Sequence, residues 1–311
     1  MTDKHPTPLI YFEATLAVVI WGATFVATKI AIQEASPVTI VWIRFLMGTI
    51  ILGITAAIRG QFYVPSLREW PYFMLVGFLG VTFHQFLQAT GLITAQATVT
   101  AWIVATIPIF SAFLGWIFLK ERFNLLRVLG ILVATIGVLI VVTNGNLPAI
   151  LNGGFGTPGD ILILISAVNW AVFSILSRPG LQKYPPTLMM FYVMLTGWLF
   201  STVWLFGFGP GLSQIPTLHT VTWVNLLILG VFGSGIAYIA WYDALSSLSV
   251  TKLSVFIYIE PLITTLIAGI FQFSGLFQKL GIKEDITLAV ILGGLITIGG
   301  VYMVNMRTNN D

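Results

Sequence analysis

Residues 70–119 read WPYFMLVGFLGVTFHQFLQATGLITAQATVTAWIVATIPIFSAFLGWIFL, and this stretch between Glu69 and Lys120 contains no acidic or basic side chain except His84. A single helix of that length would measure about 75 Å, whereas the hydrocarbon core of a bilayer is about 30 Å thick. The stretch therefore has to fold back on itself as a hairpin of two membrane-spanning helices. The same argument predicts a second hairpin between Lys183 and Asp243.

The composition of the whole chain agrees with a membrane environment. Charged residues make up 8% and apolar residues 57% of the 311 positions, and the mean hydropathy is +0.97. A soluble domain contains roughly 25% charged residues, and each charge at the bilayer centre costs at least about 2.5–3.5 kcal/mol. We therefore predict an all-α integral membrane protein.

The same composition excludes several other classes of function. The net charge is +3, but the basic residues are scattered between apolar runs, so we expect no nucleic-acid partner. Cysteine is absent, which removes disulfides, thiolate nucleophiles and cysteine-based metal sites. We predict no metal ion and no cofactor, and the expected partners are a small-molecule solute, membrane lipid and, as a candidate coupling ion, the proton.

Ten apolar runs are long enough to span the membrane, because a span needs about 20 predominantly apolar residues. Pro, Gly and charged residues separate the runs. We place the spans at residues 11–33, 38–58, 71–93, 96–118, 124–143, 159–178, 187–206, 221–243, 250–272 and 286–305. The polar segment before the first run is too short for a cleaved signal peptide, so we expect the first run to remain as a span.

The distribution of basic residues predicts the orientation in the inner membrane. With ten spans and a cytoplasmic N-terminus, nine Lys and Arg residues lie on the cytoplasmic side and three on the other, in agreement with the positive-inside rule. Both termini are then cytoplasmic. The cytoplasmic set is Lys4, Arg59, Arg68, Lys120, Arg122, Arg127, Arg178, Lys183 and Arg307, and the external set is Lys29, Lys279 and Lys283.

The two halves of the sequence resemble each other when they are aligned with offsets of 149 to 163 residues. Because each half would contain five spans, the second half would insert upside down, which is the inverted repeat typical of secondary transporters. We predict a first repeat at 1–145, an external linker at 146–158 and a second repeat at 159–311. The aligned pairs are Trp21 and Trp170, Pro37 and Pro186, Gly77 and Gly230, Leu92 and Leu245, Thr98 and Thr251, Pro108 and Pro261, and Glu121 and Glu284.

Five short motifs in this order resemble the drug/metabolite transporter superfamily and its bacterial EamA-like permeases. They are Trp21-Gly22-Ala23-Thr24-Phe25, Arg44-Phe45, Pro108, Leu119-Lys120-Glu121-Arg122 and Glu260-Pro261. The resemblance covers nearly the whole chain and implies five plus five inverted helices, a central cavity and export of metabolites such as amino acids. One departure is the segment 272–285, which is longer than the usual turn after the ninth span.

Polar and aromatic residues inside the spans are the candidates for binding the solute. Intramembrane polar side chains face a bundle interior or a cavity, and rings with a polar edge suit an amphipathic solute. The alternative for each is an ordinary packing residue or a histidine satisfied by an interhelical hydrogen bond. The candidates are Trp21, His84, Gln88, Trp102, Asn169, Trp170, Tyr238, Trp241 and Tyr258, with Trp102 and Trp241 singled out because neither has an aromatic counterpart in the other half.

Glu260 and Arg44 are the candidates for coupling, and Pro108 and Pro261 are the candidates for hinges. The counterpart of Glu260 is Ile107, so the repeat itself does not require an acid there. A carboxyl at membrane depth is a potential proton carrier or a site for a substrate ammonium, and the alternative is a structural ion pair with Arg44. The prolines occupy equivalent interior positions, where they would form either mobile or static kinks.

Two other classes of function remain as alternatives to a permease. An integral membrane enzyme would need clustered acids for a metal and diphosphate, or a histidine and acid pair at a membrane face. An ion channel would show a filter sequence or rings of charge. Neither pattern occurs in the sequence, so we predict a non-enzymatic permease that exports its solute by alternating access, with uptake as the opposite direction still open.

Overall fold

The structure of the protein is a computed structural model that describes residues 8–119, 125–148, 156–248, 253 and 255–305. Over these residues the chain is helical and contains no strand, which confirms the all-α membrane class. Several residues used in the sequence argument lie outside the described ranges. They are Lys4, Lys120, Glu121, Arg122, Thr251, Arg307 and most of the predicted linker at 146–158.

Ten long helical elements follow one another along the described chain, and a short helix at Leu276–Lys279 lies between the last two of them. Eight are long and apolar enough to span a membrane, and Val128–Val142 and Leu288–Val304 are shorter apolar helices, so the count of ten spans stays a prediction. The first five elements are α1 Pro8–Ala31, α2 Pro37–Ile58, α3 Leu67–Thr94, α4 with its parts Ala97–Val104 and Ile107–Leu119, and α5 Leu125–Val142. The others are α6 Pro158–Lys183, α7 Pro186–Gly207, α8 with its parts Thr220–Leu227, Ile228–Ile236 and Ala237–Ser247, α9 Ile259–Phe273 and α10 Leu288–Asn305.

Proline and a hydrogen-bonding cap begin several of these helices. Pro37 occupies the first turn of α2, where its missing N–H costs no helical hydrogen bond, and the Ser36 hydroxyl accepts a hydrogen bond from the Thr39 N–H. At the start of α6, Thr157 and Asp160 form a capping box around Pro158. These local signals fix where the chain turns back into the membrane.

The helices pack mainly against helices of the other half of the chain. The large interfaces join α5 with α10, α2 with α7 and α8, α3 with α6 and α7, and α1 with α8 and α9. The α5 and α10 pair comes so close that a Cβ added at Gly137 would lie 2.4 Å from the Thr297 Oγ1. This pairing is the one expected for halves related by a two-fold axis. In addition, α10 begins and ends 163 residues after α5, which is one of the offsets that align the two halves of the sequence.

The two ends of the bundle have different polar contacts. The end that contains Ala31, Thr94 and Val142 is here called the linker end. There, the Glu34 carboxylate accepts hydrogen bonds from the backbone N–H of His219 and the hydroxyl of Thr222. The other end contains Pro8 and Asn305 and is called the terminal end. There, ion pairs join Arg59 to Asp243 and Lys183 to Glu69.

The two predicted hinge prolines lie beside breaks in their helices. α4 stops at Val104 and restarts at Ile107, so Pro108 lies in the first turn of the restarted helix. Pro261 likewise lies in the first turn of α9, directly after a 3-10 turn at Val255–Tyr258. In a first turn proline removes no helical hydrogen bond. Each proline therefore directly follows a break between helical segments, and its role as a hinge stays a prediction.

Two π-helical turns occupy corresponding places in the halves. Phe78–Phe83 interrupts α3 and Ile228–Ile236 interrupts α8. A π-turn shifts backbone carbonyls out of the ordinary α-helical pattern and is frequent at functional sites. The Asn169 side chain donates a hydrogen bond of 2.7 Å to the Leu79 carbonyl in the first turn, and the Trp21 indole donates one of 3.0 Å to the Gly233 carbonyl in the second.

Candidate solute-binding cavity

A cavity of about 70 Å³ lies between α1, α2, α3, α4, α6, α8 and α9. Because one enclosed water needs roughly 10–15 Å³ by this measure, the space holds several waters or a small solute. Its polar lining comprises Thr24, Thr28, Arg44, His84, Gln85, Gln88, Tyr238 and Glu260, and its aromatic lining comprises Trp21, Phe25, Trp170 and Trp241. Ile40, Val41, Ala89, Leu92, Val104, Ile107 and Ile257 complete it.

Three of the predicted aromatic residues form one contiguous surface of the cavity. The Trp21 ring centroid lies 5.3 Å from that of Tyr238 in an edge-to-face arrangement and 5.2 Å from that of Trp241. Such pairs are stabilised by ring quadrupoles in addition to buried area. Since Trp21 is also tied to the Gly233 carbonyl, this surface is held in a fixed orientation.

His84 and Trp170 lie together on another side of the cavity. Their ring centroids are 4.7 Å apart, and His84 Nδ1 lies 3.1 Å from the Ser166 carbonyl oxygen. A neutral ring that satisfies this carbonyl has its proton on Nδ1, which leaves Nε2 as an acceptor. The interhelical hydrogen bond weighed as the alternative for His84 is therefore present, and His84 lines the cavity as well.

Arg44 is a buried cation that lines the cavity without a carboxylate partner. Its Nε donates to the Ser234 Oγ at 3.0 Å, and its Nη1 donates to the Gln85 Oε1 at 2.8 Å. The guanidinium also lies over the Phe45 ring, with Cζ 5.0 Å from the centroid. Among the described residues, none accepts a hydrogen bond from Nη2 and no acid forms an ion pair with Arg44.

Glu260 is a buried acid that lines the same cavity in the first turn of α9. The residue is 5% exposed, and over the described part of the chain its carboxylate has neither a hydrogen bond nor an ion pair. The predicted alternative, a structural ion pair between Glu260 and Arg44, is not formed, because the guanidinium binds Ser234 and Gln85 instead. The cavity is therefore lined by a guanidinium and a carboxyl group that do not pair with each other.

Three residues predicted to bind the solute do not line the cavity. Trp102 is 1% exposed and packs so tightly on α10 that a Cβ at Gly294 would lie 2.4 Å from its ring. Tyr258 packs with Ile109 in a separate apolar cluster. Asn169 satisfies the π-turn in α3. In this structure each of these side chains is used in helix packing or backbone hydrogen bonding, and a role in solute binding stays a prediction for them.

Several cavity residues were not among the sequence candidates. Thr24 and Thr28 lie one helical turn apart on α1, after Trp21, and Gln85 follows His84. The spacing of Trp21, Thr24 and Thr28 is the signal that could have indicated them, since residues three and four apart share one helix face. No group of three or more His, Asp or Glu residues that could hold a metal ion occurs in the described part of the chain.

The sequence matches the model of the EamA-like transporter family over residues 9–143 and again over 157–306. The chain belongs to the EamA-like transporter family. This EamA-like chain is therefore a permease by family, and the two matches correspond closely to its two halves. Division into two inverted repeats stays a prediction.

Two curated relatives of this EamA-like chain extend over nearly its full length. An uncharacterized transporter of Archaeoglobus fulgidus is 28% identical over 94% of the chain and 96% of the relative. A probable terminal-alkyne amino-acid exporter of Streptantibioticus cattleyicolor is 26% identical over 94% of the chain and 92% of the relative. A solved crystal structure shares the fold, with a TM-score of 0.66 and 18% identity over 94% of this chain and 95% of that one.

Proposed function

We propose that this permease exports a small zwitterionic metabolite of the amino-acid class from the cytoplasm by alternating access. The observation behind this proposal is that Arg44 and Glu260 line one cavity and neither is neutralised by an oppositely charged side chain among the described residues. An α-amino acid has the two complementary charges, with its carboxylate for the guanidinium and its ammonium for the carboxylate.

The energetics of burial favour an external partner for both groups. A charge at membrane depth costs at least about 2.5–3.5 kcal/mol, and such residues normally pair with each other or mark a substrate pathway. Arg44 and Glu260 do not pair with each other. A bound zwitterion would neutralise both charges at once, while water in the cavity would solvate them when the solute is absent.

The rest of the lining favours a solute with an apolar side chain. Trp21, Trp241 and Trp170 present ring faces, and Ile40 and Ile107 add aliphatic surface. Ligand sites are typically apolar with a few placed polar groups that fix orientation. The name of the Streptantibioticus cattleyicolor relative, a probable amino-acid exporter, supports the same substrate class for this chain.

Glu260 also offers a mechanism for coupling to protons. A proton and a substrate ammonium would compete for the same carboxylate, so each would leave when the other binds. Exchange of an internal solute for an external proton then follows from mutually exclusive occupancy, without a second ion site. Arg44 would remain ionised in both states and bind only the substrate carboxylate.

The proposal includes an inner-membrane location with both termini in the cytoplasm, which rests on the nine-to-three distribution of basic residues. It also favours transport over the two rival classes. A channel would conduct without saturating, and an enzyme would convert its solute chemically. Saturable movement of an unmodified solute distinguishes the permease from both.

The direct test is counterflow in proteoliposomes that contain the purified protein. Vesicles are loaded with one amino acid from a panel that spans aromatic, aliphatic, acidic and basic side chains, and uptake of the labelled compound is measured. Matched decarboxylated amines and desamino acids serve as controls. We expect saturable counterflow of at least one amphipathic amino acid and none of its two analogues. Equal flux of all three compounds would contradict recognition by Arg44 and Glu260.

A further inference from the structure

Lys29 lies at the linker end of α1, directly beyond the cavity. Its ammonium donates hydrogen bonds of 2.7 Å to the backbone carbonyls of Leu92 and Ala95 at the end of α3, and the residue is 7% exposed. The last carbonyls of a helix have no partner within the helix and lie at the negative end of its dipole. An ammonium there therefore supplies hydrogen bonds to these carbonyls and interacts favourably with the dipole. Thr28 and Leu92 themselves line the cavity.

Glu284 joins two further elements to this contact. It lies in the long segment 272–285, is 3% exposed, and accepts hydrogen bonds from the Ala97 N–H at 2.5 Å and the Thr98 hydroxyl at 2.9 Å. These contacts cap the start of α4. Burial raises the pKa of Glu284, and the hydrogen bonds from Ala97 and Thr98 together with the Lys29 charge partly oppose this rise.

Asp160 completes the charged cluster from the side of α6. The residue is 6% exposed, accepts hydrogen bonds from Thr157 and, like Glu284, interacts electrostatically with the Lys29 ammonium. The cluster thus ties together the linker ends of α1, α3, α4 and α6 and the segment before α10. The buried Lys29 ammonium thus interacts electrostatically with two carboxylates at the linker end.

We infer that Lys29 and Glu284 form a latch that holds the linker end of the pathway closed, an inference that rests on the proposed alternating access. Opening this end requires α1 to separate from α3, and separation breaks both Lys29 hydrogen bonds. The carbonyls of Leu92 and Ala95 must then be solvated by water entering the pathway, and the Glu284 carboxylate loses the nearby charge of the Lys29 ammonium. The latch therefore sets the population of the state that is open at the linker end.

The terminal end contains the residues that align with this latch, but the corresponding hydrogen bonds are not formed among the described residues. The offset of 149 that aligns Pro37 with Pro186 aligns Lys29 with Arg178, which is exposed and makes no hydrogen bond or ion pair with another described residue. The offset of 153 aligns Leu92 and Ala95 with Leu245 and Leu248. Arg178 would bind these two carbonyls when the terminal end closes.

The test uses the absence of cysteine from the chain, because a single introduced thiol reports only on its own position. Thr28→Cys places the thiol in the cavity beside the latch. The rate of its modification by a membrane-impermeant maleimide added from the linker side is measured in oriented vesicles. We expect slow labelling of the Thr28→Cys protein. Labelling should be at least about tenfold faster when Lys29→Met or Glu284→Gln is added, which corresponds to a change of about 1.4 kcal/mol in the free-energy difference between the closed and the open state.

Two further variants separate the latch from general loosening of the fold. Lys29→Arg retains a cation and should keep labelling slow, and Lys283→Met, which removes an exposed lysine next to Glu284, should leave the rate unchanged. Arg178→Met should slow labelling from the linker side, because it destabilises the state closed at the other end. Unchanged labelling in a monodisperse Lys29→Met protein would overturn the latch. Labelling requires no solute, so failure to find a transported solute would count against the proposed function alone.

Discussion

Lys29 and Arg178 occupy matching positions in the two halves of the chain but have opposite environments. Lys29 is buried and donates hydrogen bonds to two backbone carbonyls, whereas Arg178 is exposed. Two halves with similar sequences therefore differ in conformation at the ends of one pathway. Under the proposed alternating access, this difference is the one expected for a state that is closed at the linker end.

The same comparison can be made at the cavity, where Glu260 and its counterpart Ile107 both line the wall. Here the two halves differ in chemistry, because only the second half supplies an acid. The predicted two-fold relation of the halves would account for the helix breaks that precede both Pro108 and Pro261, since a break occurs in each half. It does not explain the carboxylate, which is why we assign Glu260 to the solute and the proton.

The largest expected effect concerns the inverted relation of the halves. A periplasmic reporter fused after Ala149, a position outside the described residues, should be active, and reporters after Gly60 or Lys183 should be silent. Activity is measured in intact cells with expression normalised by immunoblot. An active reporter after Lys183 would place both ends of α6 on the same side of the membrane. The halves would then not be inverted, and the comparison of Lys29 with Arg178 would fail.

A large effect on flux is expected from Glu260→Gln. Loss of the titrating carboxyl should abolish uptake or release driven by a pH gradient in proteoliposomes, while exchange of solute for solute at saturating concentration continues. Glu13→Gln is the matched control, because Glu13 lies in α1 but does not line the cavity. Gradient-driven flux at the wild-type rate in Glu260→Gln would exclude this residue as the proton carrier and leave His84 as the next titratable candidate in the cavity.

A moderate effect separates two tryptophans that the sequence treats alike. Trp102→Ala should lower the stability of the purified protein by about 3–5 kcal/mol through cavity formation, because its ring is enclosed against Gly294. Trp241→Ala should instead weaken solute affinity more than thermal stability. Both are measured by thermal unfolding with and without solute. Weaker binding with retained stability in Trp102→Ala would show that the solute contacts Trp102, which contradicts its assignment to helix packing.

A small effect is expected at Glu34, at the linker end. The hydroxyl of Thr222 and the backbone N–H of His219 lower the pKa of this carboxyl below 4.5. A lowered pKa contributes stability that is present above the unfolded value and is lost as the pH falls through the folded value. The difference in melting temperature between wild type and Glu34→Gln should therefore be largest near pH 7 and shrink below about pH 4.5. A constant difference at every pH would assign the effect to packing.

Much of the fold was predictable from sequence because long uncharged runs have to form spans and polar residues inside them have to face an interior. Trp21, His84 and Glu260, which were predicted in this way, line the cavity, and their roles in binding and coupling stay predictions. This argument could not separate Trp102 from Trp241, since a helix that is apolar on all sides gives no periodicity to show which face meets the cavity.

The latch was out of reach of the sequence argument for a different reason. Lys29 was interpreted only as a topology signal, and Glu284 lies in a segment that appeared to be a longer external loop. Their significance depends on the backbone carbonyls of Leu92 and Ala95, which any residue at those positions would supply. Contacts to backbone leave no pattern of side chains in a single sequence.

The central claim, recognition of a zwitterion by Arg44 and Glu260, is tested most directly by ligand discrimination in one variant. The affinities for the transported amino acid and for its desamino analogue are measured by competition in wild type and in Glu260→Gln. Because a hydrogen bond to a charged group contributes about 1.5–3 kcal/mol, the wild type should prefer the amino acid at least about tenfold. The variant should lose most of this preference and still bind the desamino acid through Arg44. An unchanged preference in the variant would contradict the account.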